Sequence, residues 1–165
     1  MARRATPVMH GPLCEAAITT GGVDVSLLQI TYVSRSTERF TARDLPDLVT
    51  ASSRNNEAKG ITGALYFSDG RFIQVLEGDE RRVIPLYGSI MQDPRHTDVE
   101  TVSIRPLTSR RFGEWGMGHL PAELAVHTAR EAFRVARTPG AAWGTDTLND
   151  VLEQFERVLA TAGRD

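Results

Sequence analysis

The chain has one cysteine, Cys14, in 165 residues. A single thiol closes no internal disulfide and builds no multi-cysteine zinc site. Lysine is almost as scarce. Of 19 basic residues all but Lys59 are arginine, which reads as the codon habit of a GC-rich genome rather than as function. No apolar run approaches the roughly 18 residues that a bilayer span requires. The basic start, Arg3-Arg4, is followed by no apolar stretch of signal-peptide length. A cytoplasmic, reducing setting is therefore the default expectation. Net charge is only -2, which gives no electrostatic case for a nucleic-acid or anionic-membrane partner. Phosphate-loop, dinucleotide and nucleophile-elbow motifs are all missing. His10, His96, His119 and His127 are too scattered to suggest a metal site.

What is present is ordinary globular composition, 41% hydrophobic and 24% charged, in a length suited to one domain and a short appendage. Residues 1–25 read as a flexible leader, broken by Pro7, Gly11, Pro12, Gly21 and Gly22. Residues 26–34 are apolar and β-branched, a buried strand. Thr41 with Asp44 is a capping-box signal. Leu45, Leu48, Val49 and Ser52 then share one helical face, in a helix reaching about Asn56. Residues 64–68 and 71–77 read as strands around Asp69-Gly70, a strong hairpin signal. Gly78-Asp79 starts a second helix, whose apolar stripe is Val83, Ile84, Leu86, Tyr87, Ile90 and Met91. Residues 99–107 read as a fourth strand and 112–117 as a short fifth.

This order is the split βαβ, ferredoxin-like α+β pattern, βαββαβ with an extra strand. It predicts a mixed sheet with both helices on one face, each helix crossover joining parallel neighbours. The crevice between the helices suits a flat ligand. After Pro121 two helices are expected, over 122–137 and 145–162. The second carries the stripe Leu148, Val151, Leu152, Phe155, Val158 and Leu159. Such a stripe must cover something, either the free face of the sheet or another subunit, and a homo-oligomer (dimer or larger) is expected.

The candidate functional residues are neutral polar groups standing where apolar ones belong. Tyr32 sits mid-strand, and Gln74 interrupts Phe72-Ile73-Gln74-Val75-Leu76. An unpaired buried polar group costs about 1–3 kcal/mol, so Gln74 is either on a solvated face or serving a polar ligand. Taken alone, Tyr32 reads as a satisfied core tyrosine and Asn55-Asn56 as a helix C-cap. Glu77 and Glu80 stand near a helix start and read as dipole-complementing residues.

Taken together, these residues resemble a family, the blue-light sensors using flavin (BLUF). The matching segments are Ile30-Thr31-Tyr32-Val33-Ser34, then Asn55-Asn56 followed by Gly60-Ile61-Thr62-Gly63-Ala64-Leu65. Gly70-Arg71-Phe72-Ile73-Gln74-Val75-Leu76-Glu77-Gly78 comes next. Asp93-Pro94-Arg95-His96 and Arg111-Phe112 with Trp115 and Met117 complete the set. The resemblance covers about 26–120 and implies domain limits there, with 121–165 as a two-helix extension.

The resemblance implies a noncovalent flavin, FAD with FMN also accepted, between the two helices. It implies that Asn56 holds the pyrimidine edge, with Asn55 nearby. Gln74 would bridge Tyr32 and the flavin, and Tyr32 would donate an electron and a proton to the excited ring. Trp115 and Met117 would be alternating partners of Gln74. Arg95 and His96 would lie beside the ring and ribityl chain, Phe72 in the pocket wall, and Ser52 near Gln74. A side-chain amide suits this relay, because it accepts a proton at oxygen, releases one at nitrogen, and so reverses its hydrogen bonds.

The chain ends at Asp165, so the expectation is a sensor without an output enzyme, signalling to an unidentified downstream protein by contact. The competing readings are a small acylphosphatase-like hydrolase and a flavin-less interaction module. The first lacks its anion-binding loop. The second is weakened by the joint presence of Tyr32, Gln74 and Asn56.

Overall fold

The computed structural model describes residues 26–120 apart from 114 and 115, and in the C-terminal segment 149, 150, 152–154 and 157. The expected leader, the expected helix over 122–137, Trp115, and the stripe residues Leu148, Val151, Phe155, Val158 and Leu159 lie outside the described residues.

The described elements are β1 (Leu27–Ser36), a 3-10 turn (Ala42–Asp44) leading into α1 (Leu45–Ala58), β2 (Thr62–Ser68), β3 (Arg71–Asp79), α2 (Glu80–Met91), β4 (His96–Leu107) and β5 (Gly118–Leu120). Local chemistry sets most boundaries. Thr41 donates its amide N–H and its hydroxyl to Asp44 Oδ2, both at 2.8 Å, which opens the first helix. Asp69 and Gly70 both take positive φ, 50° and 70°. That is the mirror-image turn that matches strand twist, and it closes the β2–β3 hairpin between Ser68 and Arg71. Asp79 caps α2 by accepting from the Arg81 amide at 2.9 Å.

The sheet order is β4-β1-β3-β2-β5. It is mixed, as expected: β5 runs parallel to β2, and the other pairs are antiparallel. One expectation is corrected. The strands joined by a helix are not neighbours, because β3 lies between β1 and β2, and β1 lies between β3 and β4. β3 takes the inner place, paired with β1 on one side and with β2 on the other, and all three strands bury both faces.

The fifth strand is also corrected, from 112–117 to Gly118–Leu120. The apolar residues that suggested it anchor a loop instead of pairing, since Phe112 gives its amide to a Glu77 carboxylate oxygen.

Both helices pack on one face. Leu45, Leu48 and Val49 of α1 and Val83, Leu86, Tyr87 and Ile90 of α2 cover Ile30, Tyr32, Leu65, Phe67, Phe72 and Leu76. Ile84 and Met91, placed in this stripe by spacing, are 55% and 51% exposed. Val83, Leu86, Tyr87 and Ile90 already fill the arc that faces the sheet, and the other two fall one position beyond it.

The opposite face is buried as well, at Val33, Ala64, Tyr66, Ile73 and Val75. Leu152 is fully buried, and Asn149 accepts from Arg105 at 3.3 Å. Arg105 also donates to Gln29, its register partner, whose side chain points to the face opposite Ile30. Asn149 therefore meets the face turned away from the helices.

Gly63 gives a direct check on the sheet. A Cβ there would lie 2.0 Å from the Val75 carbonyl oxygen, and the atoms it meets are all β3 backbone, which cannot yield as a side chain would. Gly63→Ala should cost about 3 kcal/mol, read as a lowered denaturation midpoint. A midpoint like that of the unaltered chain would contradict this packing.

Candidate functional site

Along α1, Ser52, Asn55, Asn56 and Lys59 follow at i, i+3, i+4 and i+7, so one face of the helix carries all four. This face continues the apolar stripe of Leu45 and Leu48, and it turns polar where it overhangs the sheet. A cleft opens there between the helices. Leu48, Leu65, Phe72, Leu86 and Ile90 form its apolar walls, and Ser52, Asn55, Asn56 and Gln74 its polar points on α1 and the sheet. Asp93, Arg95 and His96 close it at the far end of α2.

Nine of the ten residues singled out from the sequence meet at this cleft or border it; Trp115 lies outside the described residues. Tyr32 is fully buried behind the cleft and donates its hydroxyl hydrogen to Gln74 Oε1. The two are direct cross-strand partners of β1 and β3, where side chains on one face stand close enough to interact. Gln74 Nε2 lies 3.5 Å from Met117 Sδ, a weak acceptor. Met117 is buried in the turn before β5 rather than within a strand.

Asn56 is 2% exposed and donates one amide hydrogen to the Gly116 carbonyl at 3.0 Å. Its remaining hydrogen and its carbonyl oxygen are what it offers a ligand. Asn55 is exposed and borders the cleft. Phe72 is buried within an aromatic group with Phe40, Phe67 and His96.

Electrostatics at the site favour neutral forms in the interior. Burial pushes the Tyr32 phenol well above its usual range, and the nearby Tyr87 and Asp93 push the same way. Tyr32 therefore stands as a protonated donor. Arg95 holds the Asp93 carboxylate through hydrogen bonds of 2.5–3.1 Å, which lowers the Asp93 pKa. Burial lowers the His96 pKa, and His96 Nδ1 shares a 2.8 Å hydrogen bond with Ser34 Oγ.

Sequence reasoning passed over three partners. Tyr87 packs on Tyr32 with ring centres 5.1 Å apart. Gly116 orients Asn56. Glu77 is no helix-dipole residue, because it is a fully buried member of β3; Glu80 alone occupies the first turn of α2. A lone carboxylate ending an apolar strand run was the available signal.

The arrangement fits a flat heteroaromatic ring. Apolar walls take its faces, and amide groups at Asn56 and Gln74 match an edge where acceptors and an N–H alternate. A redox-competent phenol stands one amide away. These features make the cleft a candidate site for a flat, redox-active ring on a ferredoxin-like sheet.

Comparison with known proteins gives the family. The family model described as sensors of blue-light using FAD (BLUF) matches residues 27–118. Photoactivated adenylate cyclase subunit beta of Euglena gracilis is 36% identical over 150 residues, which is 91% of this chain and 16% of that protein. The blue light- and temperature-regulated antirepressor BluF of Escherichia coli (strain K12) is 31% identical over 137 residues, 82% of this chain and 34% of that one.

Among solved structures, the dark state of BlrB, a BLUF protein, superposes with a TM-score of 0.69 at 26% identity, covering 80% of this chain and 96% of that one. The BlrP1 BLUF structure gives 0.58 at 32% identity, covering 84% and 93%. The chain belongs to the BLUF family, and its cofactor class is FAD. It spans about a sixth of the cyclase subunit and about a third of the antirepressor.

The Asp93–Arg95–His96 end of the cleft predicts a pH response. Both lowered pKa values mean that the unfolded chain binds protons before the folded one does, so stability falls with falling pH. The His96 contribution is intact above its ordinary value of 6.5 and is lost below it. The Asp93 contribution is intact above 3.8 and is lost as pH drops through its lowered folded value. Melting temperature should therefore decline from pH 7 to 5, and His96→Asn should flatten that decline. An unchanged slope in the variant would remove His96 from this account.

Proposed function

We propose that this chain is a blue-light photoreceptor in which Tyr32 and Gln74 form the photochemical relay, and that its output is contact with a downstream protein. The observation that carries the reading is the Tyr32–Gln74–Met117 chain of contacts at the edge of the cleft. When bound, the flavin supplies a light-generated oxidant. Tyr32 holds its proton at Oη against Gln74 Oε1, so loss of an electron from the phenol has a proton acceptor already in place. Gln74 can take that proton at Oε1 and would give one from Nε2 to the bound ring that holds the electron, emerging rotated or as its tautomer with its hydrogen bonds reversed. Asn56, fixed by Gly116, orients the ring edge. Apolar walls at Leu48, Leu65 and Ile90 exclude water from the relay.

In this reading Met117, together with Trp115, is the switch partner of Gln74. Ser52, Asn55, Phe72, Arg95 and His96 serve cofactor binding. Residues 26–120 form the flavin domain, and 121–165 an extension for output. The domain senses and does not itself catalyse a reaction. Further parts of the proposal are a cytoplasmic setting and self-association as a dimer or larger. No helix among the described residues is long and apolar enough to cross a membrane. The acylphosphatase-like alternative is not favoured. Arg95, the arginine at the cleft, already holds Asp93.

The test is an absorption spectrum in darkness and after blue light. The protein should carry oxidised flavin and show a reversible red shift. Gln74→Leu keeps approximate volume without a relay, and Tyr32→Phe removes the hydroxyl. Each should keep bound flavin and lose the red-shifted state. A normal photocycle in either variant would exclude the relay, and protein that stays colourless with added FAD would exclude the photoreceptor reading itself.

A further inference from the structure

Glu77 lies outside the cleft, is fully buried, and has no part in the relay. A buried carboxylate persists only when donors surround it. Here Oε1 accepts Gln29 Nε2 at 2.5 Å. Oε2 accepts the backbone amides of Arg111 and Phe112 at 2.9 and 3.0 Å. Arg110 adds to the clamp, donating to the Glu77 carbonyl at 2.9 Å, to Thr62 Oγ1 at 2.9 Å and to the Gly60 carbonyl at 2.6 Å. Residues 110–112 are thus tied to β3 and the entry of β2.

The same loop is fixed again a few residues later, on the other face of the sheet. Gly116 gives its carbonyl to Asn56 and sits so close to α1 that a Cβ would lie 2.7 Å from the Ser53 carbonyl oxygen. Met117 follows and meets Gln74. Residues 110–112 and 116–117 are the two described ends of a strap, the first held by Glu77 and the second at the cleft.

Glu77 also sets the polarity of a second chain of bonds. Because the carboxylate brings no hydrogen, Gln29 must turn Nε2 toward it and Oε1 away. That oxygen accepts Arg105 Nε at 2.7 Å, and Arg105 Nη1 donates to Asn149 Oδ1 at 3.3 Å. The chain ends on the C-terminal segment, three positions before the buried Leu152.

We propose that Glu77 is a positioning residue for the light switch. It sets where the strap presents Met117 to Gln74, and through Gln29 and Arg105 it ties that setting to the C-terminal segment. The proposal rests on the photoreceptor reading above. Movement of Met117 pulls on a loop whose other end is the same carboxylate that orients Gln29, so one residue belongs to both arms.

An isosteric change separates polarity from packing. With Glu77→Gln the side chain keeps its size, but its new amide hydrogens face other donors. If Gln29 turns over to accept them, its own amide then faces the Arg105 guanidinium. Gln29→Leu cuts the second arm alone, leaving the bonds from Glu77 to Arg111 and Phe112.

The experiment compares dark recovery, and light-minus-dark hydrogen exchange around Asn149, in the full chain and both variants. Glu77→Gln should keep its flavin and red shift, change the recovery rate by roughly threefold or more, and lose the exchange difference. Gln29→Leu should recover at the rate of the unaltered chain and also lose the exchange difference. Glu77→Gln protein with unaltered recovery and exchange overturns the proposal.

Should Glu77→Gln fail to fold with flavin, Gln29→Leu decides: a surviving exchange difference overturns the proposal and a lost one supports it. A full chain without any red shift overturns both this proposal and the photoreceptor reading. A normal red shift with indifferent variants overturns this proposal alone.

Discussion

Tyr32 stands directly across from Gln74 in the antiparallel ladder of β1 and β3, and that register determines the site. Side chains alternate between faces, so a slip of one residue would carry Gln74 to the face away from the helices and leave Tyr32 without its partner. The register is held from both sides. Ile30 with Leu76 packs under the helices, while Val33 with Ile73 and Thr31 with Val75 lie on the other face. The Asp69-Gly70 turn pins β2 to β3. The relay is therefore a product of the hydrophobic pattern that surrounds it.

A sheet buried on both faces places strict demands on its polar residues. Gln29, Asn56, Gln74 and Glu77 are all nearly or fully buried, and each has a named hydrogen-bond partner. They form two groups on opposite faces. Gln74 and Asn56 open toward the cleft, and Glu77 and Gln29 are enclosed. Only two residues of β3 separate Gln74 from Glu77, and the odd spacing sends them to opposite sides of the pleat. Residues 110–112 touch the enclosed group and residues 116–117 the group at the cleft.

The sequence made the local features of this structure legible and left the distant pairings hidden. The capping box at Thr41, the turn at Asp69-Gly70 and the cap at Asp79 are short-range chemistry, and each appears where its residues stand. Gln74 was visible because an amide inside Phe72–Leu76 contradicts its surroundings, and Tyr32 and Asn56 gained meaning beside it. Sheet order was not visible from the elements alone. It depends on pairings between residues far apart in sequence, such as Tyr32 with Gln74, which put β3 between β1 and β2. The short fifth strand was misplaced because Phe112 and Met117 are apolar for reasons of loop anchoring, which periodicity does not separate from pairing. Glu77 was misread because a carboxylate next to a helix start has an ordinary explanation. Its actual partners, Gln29 and the amides of Arg111 and Phe112, are far away in sequence.

The hydrogen-bond inventory around Gln74 explains how a group this firmly placed can act as a switch. As it stands, Oε1 accepts from Tyr32 and Nε2 faces the Met117 sulfur. The phenol oxygen also accepts, so after a half-turn of the amide Nε2 could donate to Tyr32. Oε1 would then face Met117, whose thioether has no hydrogen to give. Among the protein's own groups, the reversed arrangement therefore leaves Gln74 Oε1 without a donor, which costs about 1–3 kcal/mol. A gap of that size keeps the reversed state a minority at rest and leaves it within reach of a modest rearrangement. A stronger acceptor than sulfur at Met117 would hold the resting amide too firmly. A hydrogen donor there would stabilise the reversed one. The weakness of the Met117 contact is what allows Gln74 to take either orientation.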